Sequence, residues 1–296
     1  MNAREMGFLL LTCQLGDPKR KPLTVAQFRD LSINASRMEV DIPNRELTEE
    51  DLRNLGYNRE MAARIVCLLE DEKLLKYYLK QGIKGGCFPL TRISSDYPQT
   101  LHSRLGLEAP NLWFRGDVTL LDTPAVSLVG SRNLLEENRE FAREVGRQAA
   151  MQGYTLISGN ARGADREAQD SCLSNGGKVI SVVADRLLAQ PLEKNILYLS
   201  EDGYDLSFSA ARAISRNRVI HTLPTAGVFV AQCGLKTGGT WSGTEKNLKK
   251  GWSPVFCFQD GSEAQMELCE RGAVAVGICD LNDFYALHTK RTHSLF

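Results

Sequence analysis

Between residues 125 and 258 one pattern repeats. A short apolar run is followed by a glycine-bearing break and then by a polar stretch whose apolar positions recur three and four apart. The runs are AVSLVG (125–130), YTLISG (154–159), KVISVVA (178–184), GVFVAQ (227–232) and PVFCFQ (254–259). Each is short and β-branched, which predicts strands buried on both faces. The stretches between them predict helices near 135–151, 163–175, 193–202, 210–222 and 242–250. This alternation predicts an α/β fold, a Rossmann-like doubly wound, mostly parallel sheet. Within 259–296, EAQMELCERGAVAV adds a helix, a turn and a strand.

Residues 1–82 read as all-helical. Apolar positions in 24–38 (TVAQFRDLSINASRM) fall near a period of 3.6. Thr48 is placed to cap a helix carrying Glu49, Glu50 and Asp51 in its first turn, where the helix dipole favours acids. NLGYNREMAARIVCLL then gives a short helix, a turn at Gly56 and a second helix. That is helix-hairpin-helix-like spacing, which either offers backbone amides to phosphate or makes a helical pair with a shared core. The early run GFLLLTC is too short to cross a bilayer, and no small-residue cleavage site follows it. It reads as a first helix or strand. Turn signals fill 83–124. The expected organisation is an N-terminal helical domain at 1–82, helix-hairpin-helix or SAM-like, and a Rossmann-like domain at 83–296 that includes a connector at 83–124.

Composition narrows the function classes. The 296 residues are 43% hydrophobic and 24% charged, a globular balance. Lys+Arg and Asp+Glu are both 36, so there is no global basic field of the kind that tight, non-specific duplex binders carry. A local basic groove stays open. The eight cysteines form no C-x-x-C pair and no zinc spacing, which predicts reduced thiols in a cytoplasmic protein without a metal or membrane segment.

Chemistry is expected where a parallel sheet binds ligands, beyond the carboxyl ends of its strands. Gly130, Ser131 and Arg132 follow the first run. Ser158, Gly159, Asn160, Ala161, Arg162, Gly163, Ala164 and Asp165 follow the second. Gly234 and Lys236, Thr237, Gly238, Gly239 and Thr240 follow the fourth. Glycine lets backbone N–H groups approach an oxyanion, a helix N-terminus adds free donors, and arginine adds a forked charge. Three such loops on one sheet edge predict a phosphate-bearing ligand. Arg216, Asn217 and Arg218 lie on the helix entering the fourth strand and extend the basic set. Phe208 and Trp241 are candidates for base stacking, or for core.

Neither G-x-G-x-x-G nor G-x-x-x-x-G-K-[ST] occurs, so no dinucleotide cofactor and no P-loop ATPase is expected. The four histidines fall outside the glycine loops, and His221 reads as a packed or surface residue rather than a base. Glu245, in GGTWSGTE, is the one candidate catalytic acid or base; otherwise it is an acid suited to a helix N-terminus.

These residues resemble the bacterial DNA-processing protein A family, also called Smf. The resemblance rests on AVSLVGSR, YTLISGNARGADREAQDSCLSNGGKVISVVA, RNRVI and AGVFVAQCGLKTGGT, with SDYPQTLHSRLGLEAPNLWFRGDVTLLDTP upstream. It covers nearly the whole chain. It implies a non-catalytic, single-stranded-DNA-binding Rossmann-like protein that forms a homodimer and assists loading of a RecA-type recombinase in natural transformation. It implies that Ser131 and Arg132 hold DNA phosphates, that Ser158, Arg162, Gly163 and Asp165 build a second loop, and that Arg216, Asn217 and Arg218 complete the pocket. Lys194 and Asn195, in PLEKN, match a family stretch beside the groove. The sequence departs from the family pattern in YDLSFSAARAIS, which lacks a proline-rich loop, in KTGGTWSGTE, and in ending without the usual carboxy-terminal winged helix. KTGGTWSGTE resembles the phosphoribohydrolase branch of the superfamily. The alternative is therefore a nucleotide-binding sensor or hydrolase, including a role in phage defence, with Glu245 and Arg132 handling a ribosyl phosphate.

Overall fold

All five apolar runs between 125 and 258 are strands in the computed structural model, which describes residues 1–36 and 47–293. The N-terminal part holds helices α1 (Ala3–Thr12), α2 (Val25–Ala35), α3 (Glu49–Asn54), α4 (Arg59–Glu70) and α5 (Glu72–Lys84). Thr48 caps α3 reciprocally with Asp51, as its position in the sequence suggests. Gly56, at φ 92, makes the turn into α4. Residues 37, 38 and 46, at the edges of two segments read as helical, lie outside the described residues.

The chain continues through β1 (Phe88–Leu90), α6 (Gln99–Leu105), β2 (Leu112–Gly116), β3 (Ala125–Val129), α7 (Glu136–Met151), β4 (Thr155–Ser158), α8 (Ala164–Ser174), β5 (Lys178–Val182) and β6 (Ile196–Glu201). It ends with α9 (Ala210–Thr222), β7 (Gly227–Val230), α10 (Gly238–Lys250), β8 (Val255–Phe258), α11 (Glu263–Glu270), β9 (Val274–Val276) and α12 (Phe284–His293). Among the described residues the sheet has nine strands in the order β1-β2-β6-β5-β4-β3-β7-β8-β9. β3 to β9 pair in parallel, and β2 and β1 extend the β6 edge antiparallel.

The helix expected near 193–202 is strand β6 instead. Ile196, Leu197, Tyr198 and Leu199 are all buried. An apolar run this short fits a doubly buried strand or a helix equally by periodicity, and its pairing with β5 and β2 decides. β1 and β2, within the connector, likewise show no periodicity long enough to announce them.

Side chains of β3 alternate between two cores. Val126 and Leu128 join Phe141, Val145, Ala168 and Phe284 on the face covered by α7, α8 and α12, while Ala125 and Val129 join Val219, Ile220, Trp241 and Leu268 on the face of α9, α10 and α11. The first core also takes Leu9, Leu10, Leu75 and Tyr78, so α1 and α5 are continuous with it. A third, smaller core around Leu31, Leu52 and Ile65 holds α2, α3 and α4 to α1. Arg20, only 7% exposed, ties these helices together by donating to Asp71 and to the carbonyls of Leu10 and Leu68.

His221 is fully buried under α10, where its Nδ1 lies 3.3 Å from the Asn247 amide. Burial holds its pKa down at about 3, so the folded chain keeps it neutral where the unfolded chain protonates it. Stability therefore falls as pH drops from about 6.5 towards 3, by up to about 1.4 kcal/mol per pH unit from this group. Urea melts at pH 7 and pH 5 should show a smaller acid loss in His221→Gln than in the parent chain.

Candidate functional site

Strand order reverses between β3 and β7, and the loops leaving these two strands flank a groove of about 620 Å³. Gly130, Ser131 and Arg132 form one wall, Thr237 to Thr240 the other, and Arg216 and Asn217 rise from α9 between them. A second depression of about 380 Å³ continues it over β4 and β5, lined by Gly159, Asn160, Arg162 and Asp185. Arg132, Ala161, Phe208 and Arg216 border both.

The loops lock to one another. The Ser131 carbonyl accepts from the Ala164 amide at 3.1 Å, which uses one of the free donors at the start of α8. Gly163 sits at φ 88, and a Cβ there would fall 2.5 Å from the carbonyl oxygens of Ser131 and Arg132, so only glycine lets this turn close. Thr240 Oγ1 donates to the Gly130 carbonyl at 3.0 Å, and the Asn217 amide donates to the Gly239 carbonyl at 3.1 Å. Thr237 precedes α10 without a side-chain cap, so the first amides of that helix face the groove uncapped. Such amides suit an anion.

Arg216 is the electrostatic centre. It is 8% exposed, its Nη1 donates to the Val182 carbonyl at 2.9 Å, and its Nε has no hydrogen-bond partner among the described residues. Burial lowers its pKa, and the Asp165 charge opposes that shift. A Cβ on Gly159 would lie 1.5 Å from the guanidinium, so that glycine makes room for the cation. Asp165 is buried too and accepts from the Ala161 amide at 3.1 Å. Burial raises its pKa, while the Arg216 charge and the Ala161 and Gly159 amides lower it. Arg132 and Arg162 are exposed at the rim, the latter donating to Asn133 at 3.0 Å. Phe208, 58% exposed, is the aromatic ring at this edge.

Several residues singled out in the sequence stand elsewhere. Ser158 is fully buried and its hydroxyl accepts from Gln169 of α8 at 2.5 Å, turned towards that helix. Arg218 faces the opposite side of α9 and pairs with Glu201 at 3.4 Å. Lys194 and Asn195 precede β6, at the amino edge of the parallel sheet, where the Asn195 carbonyl accepts from Val179. Their displacement follows from β6 being a strand. Lys236 directs its amine to Glu267 at 3.6 Å, although the residues after it line the groove. Trp241 is core. Glu245 lies outside the groove, bound to Arg271 and, at 3.5 Å, to Lys249. Asp185 lines the second depression and was not anticipated; its place directly after the third run was the available signal.

Asp165→Asn should cost about 1–3 kcal/mol, since one of two buried acceptor oxygens beside the loop amides becomes an NH2 donor. Chemical denaturation measures the cost, and faster amide exchange at Ala161 would locate it.

A profile of the family described as "DNA recombination-mediator protein A" matches residues 89–286. The DNA processing protein of Streptococcus pneumoniae is 31% identical over 182 residues, a match that spans 57% of this chain and 61% of that protein's length. The crystal structure of DNA processing protein A from the same organism superposes with a TM-score of 0.69 at 25% identity, covering 91% of this chain and 93% of that one. DNA processing protein A from Helicobacter pylori, described for its single-stranded DNA binding mode, shares the fold at a TM-score of 0.54 and 24% identity, over 70% of this chain and 96% of that one.

Proposed function

This chain belongs to the DNA recombination-mediator protein A family, and we propose that it binds single-stranded DNA along the carboxyl edge of its sheet. The observation that carries this reading is the groove at the β3–β7 switch with the depression that continues it, where a buried Arg216, two rim arginines and the uncapped start of α10 converge. In this reading one phosphate sits against Ser131, Arg132 and the amides of Gly238, Gly239 and Thr240. The strand then runs over Gly159, Arg162 and Gly163, with a base stacked on Phe208. Asp165 shapes the second loop from behind. Exposed aromatic faces beside a basic groove suit strands whose bases are unpaired. The single-stranded DNA binding of the Helicobacter pylori protein, which shares the fold, supports the same choice of ligand.

The role is binding rather than hydrolysis. What favours this is the placement of Glu245, whose carboxylate is engaged by Arg271 and Lys249 away from the groove. Family membership supports the finer reading, in which the bound strand is passed to a RecA-type recombinase by a homodimer.

Arg132→Ala should weaken binding of oligo-dT about tenfold and lower the slope of log K against log salt by about 1. Fluorescence anisotropy at two or more salt concentrations reads both. Unchanged affinity and slope would contradict the assignment, as would release of free base from nucleoside monophosphates by the purified chain.

A further inference from the structure

A second cavity, of about 540 Å³, lies on the far side of α9, between that helix, the carboxyl end of β6 and helices α1 and α2. Its size suits a small organic ligand. One wall is apolar and aromatic. Phe8 and Phe28 meet edge to face at 4.7 Å, and the Arg92 guanidinium lies over both rings at 5.0 and 4.9 Å. The other wall is polar, and most of its groups are already satisfied. Glu201 accepts from Ser215 at 2.7 Å and pairs with Arg218. Arg212 spends its donors on the carbonyls of Ala184, Leu206 and Ser207 and on the Ser200 hydroxyl.

One carboxylate is left over. No described residue donates a hydrogen bond to the carboxylate of Asp202, which lines the cavity and keeps accessible surface there. Arg218 and Asn111, the latter 4% exposed, line it as well. Loss of hydration and the neighbouring Glu201 raise the Asp202 pKa, while Arg212 and Arg218 oppose the shift. A cation would meet Arg92, Arg212 and Arg218, and an anion would meet Glu201 and Asp202. The lining instead fits a flat, neutral ring that offers adjacent N–H donors beside a carbonyl acceptor.

We propose that this cavity binds a guanine base, its N1–H and N2–H donating to Asp202, its O6 accepting from Arg218, and its face against Phe28 and the Arg92 guanidinium. Bases taken out of a stack are held in this way, between aromatic or arginine planes and by their Watson–Crick edges. Adenine would turn its N1 acceptor to the carboxylate, and cytosine offers one exocyclic donor group, so both fit less well. The guanine comes either from a free nucleoside or from a strand lying in the groove on the other side of α9. Only the strand source rests on the single-stranded-DNA reading.

Calorimetric titration of the full chain with guanosine, adenosine and cytidine tests the pocket without any phosphate. Guanosine alone should bind saturably. Asp202→Asn should weaken it roughly tenfold or more, because a site built to pair a donor loses it. Phe28→Leu, which keeps apolar volume, should weaken it as well, and Arg132→Ala should leave it unchanged. Absence of guanosine binding, equal binding of the three nucleosides, indifference to both cavity variants, or loss in Arg132→Ala would each overturn the proposal. A dT strand carrying one guanine then separates the sources. A gain over all-dT that disappears in Asp202→Asn makes the occupant a strand base, and guanosine binding without such a gain makes it a free nucleoside. Guanosine binding that persists when oligo-dT binding fails leaves the cavity standing and removes the groove reading.

Discussion

Arg216 is a cation held where little water reaches it, and the carboxyl edge is arranged around that fact. A buried guanidinium with one carbonyl partner and an idle Nε is poorly compensated by the protein alone. Asp165 lies near enough to temper the charge without forming a direct ion pair, and its own carboxylate is tied to a loop amide. Gly159 leaves the space the guanidinium occupies. The result is a positive field at the base of a groove whose rim carries two further arginines. An anion entering the groove supplies what the fold withholds.

The same edge is built to hold its shape. The first loop is fastened to the second through Ser131 and Ala164, and to the third through Gly130 and Thr240. Asn217 of α9 reaches the start of α10 at Gly239. Three loops leaving three strands thus form one connected surface, so little ordering is needed when a ligand arrives. The strand order puts this surface at the reversal between β3 and β7. α9 has work on both sides: Arg216 and Asn217 look into the groove, while Arg212, Ser215 and Arg218 look into the cavity shared with the N-terminal helices.

Most of this arrangement was legible in the residues. Five β-branched runs identified five of the seven parallel strands, and glycine, hydroxyl and arginine after them pointed to the carboxyl edge. What escaped is physical in origin. Residues 193–202 read as a helix because a four-residue apolar run carries no decisive period; only its neighbours β2 and β5 make it a strand. Lys194 and Asn195, set beside the groove by the PLEKN resemblance alone, stand at the amino edge just before β6. Ser158 and Arg218 occupy the right segments, but a strand's alternation turns the serine inward and a helix's turn carries the arginine to the opposite side. Lys236 found an acid, Glu267, more than thirty residues away in sequence. The N-terminal cavity left no motif at all, since its lining comes from segments nearly two hundred residues apart.

Amide hydrogen exchange with and without saturating oligo-dT tests DNA binding at the carboxyl edge, because it reports where the strand lies along the chain. Protection is predicted at 130–132, 159–163 and 237–240, with residues 53–59 at the α3–α4 turn unchanged. Protection confined to that turn, or no change along the three loops, would contradict the assignment of the carboxyl edge as the DNA-binding surface.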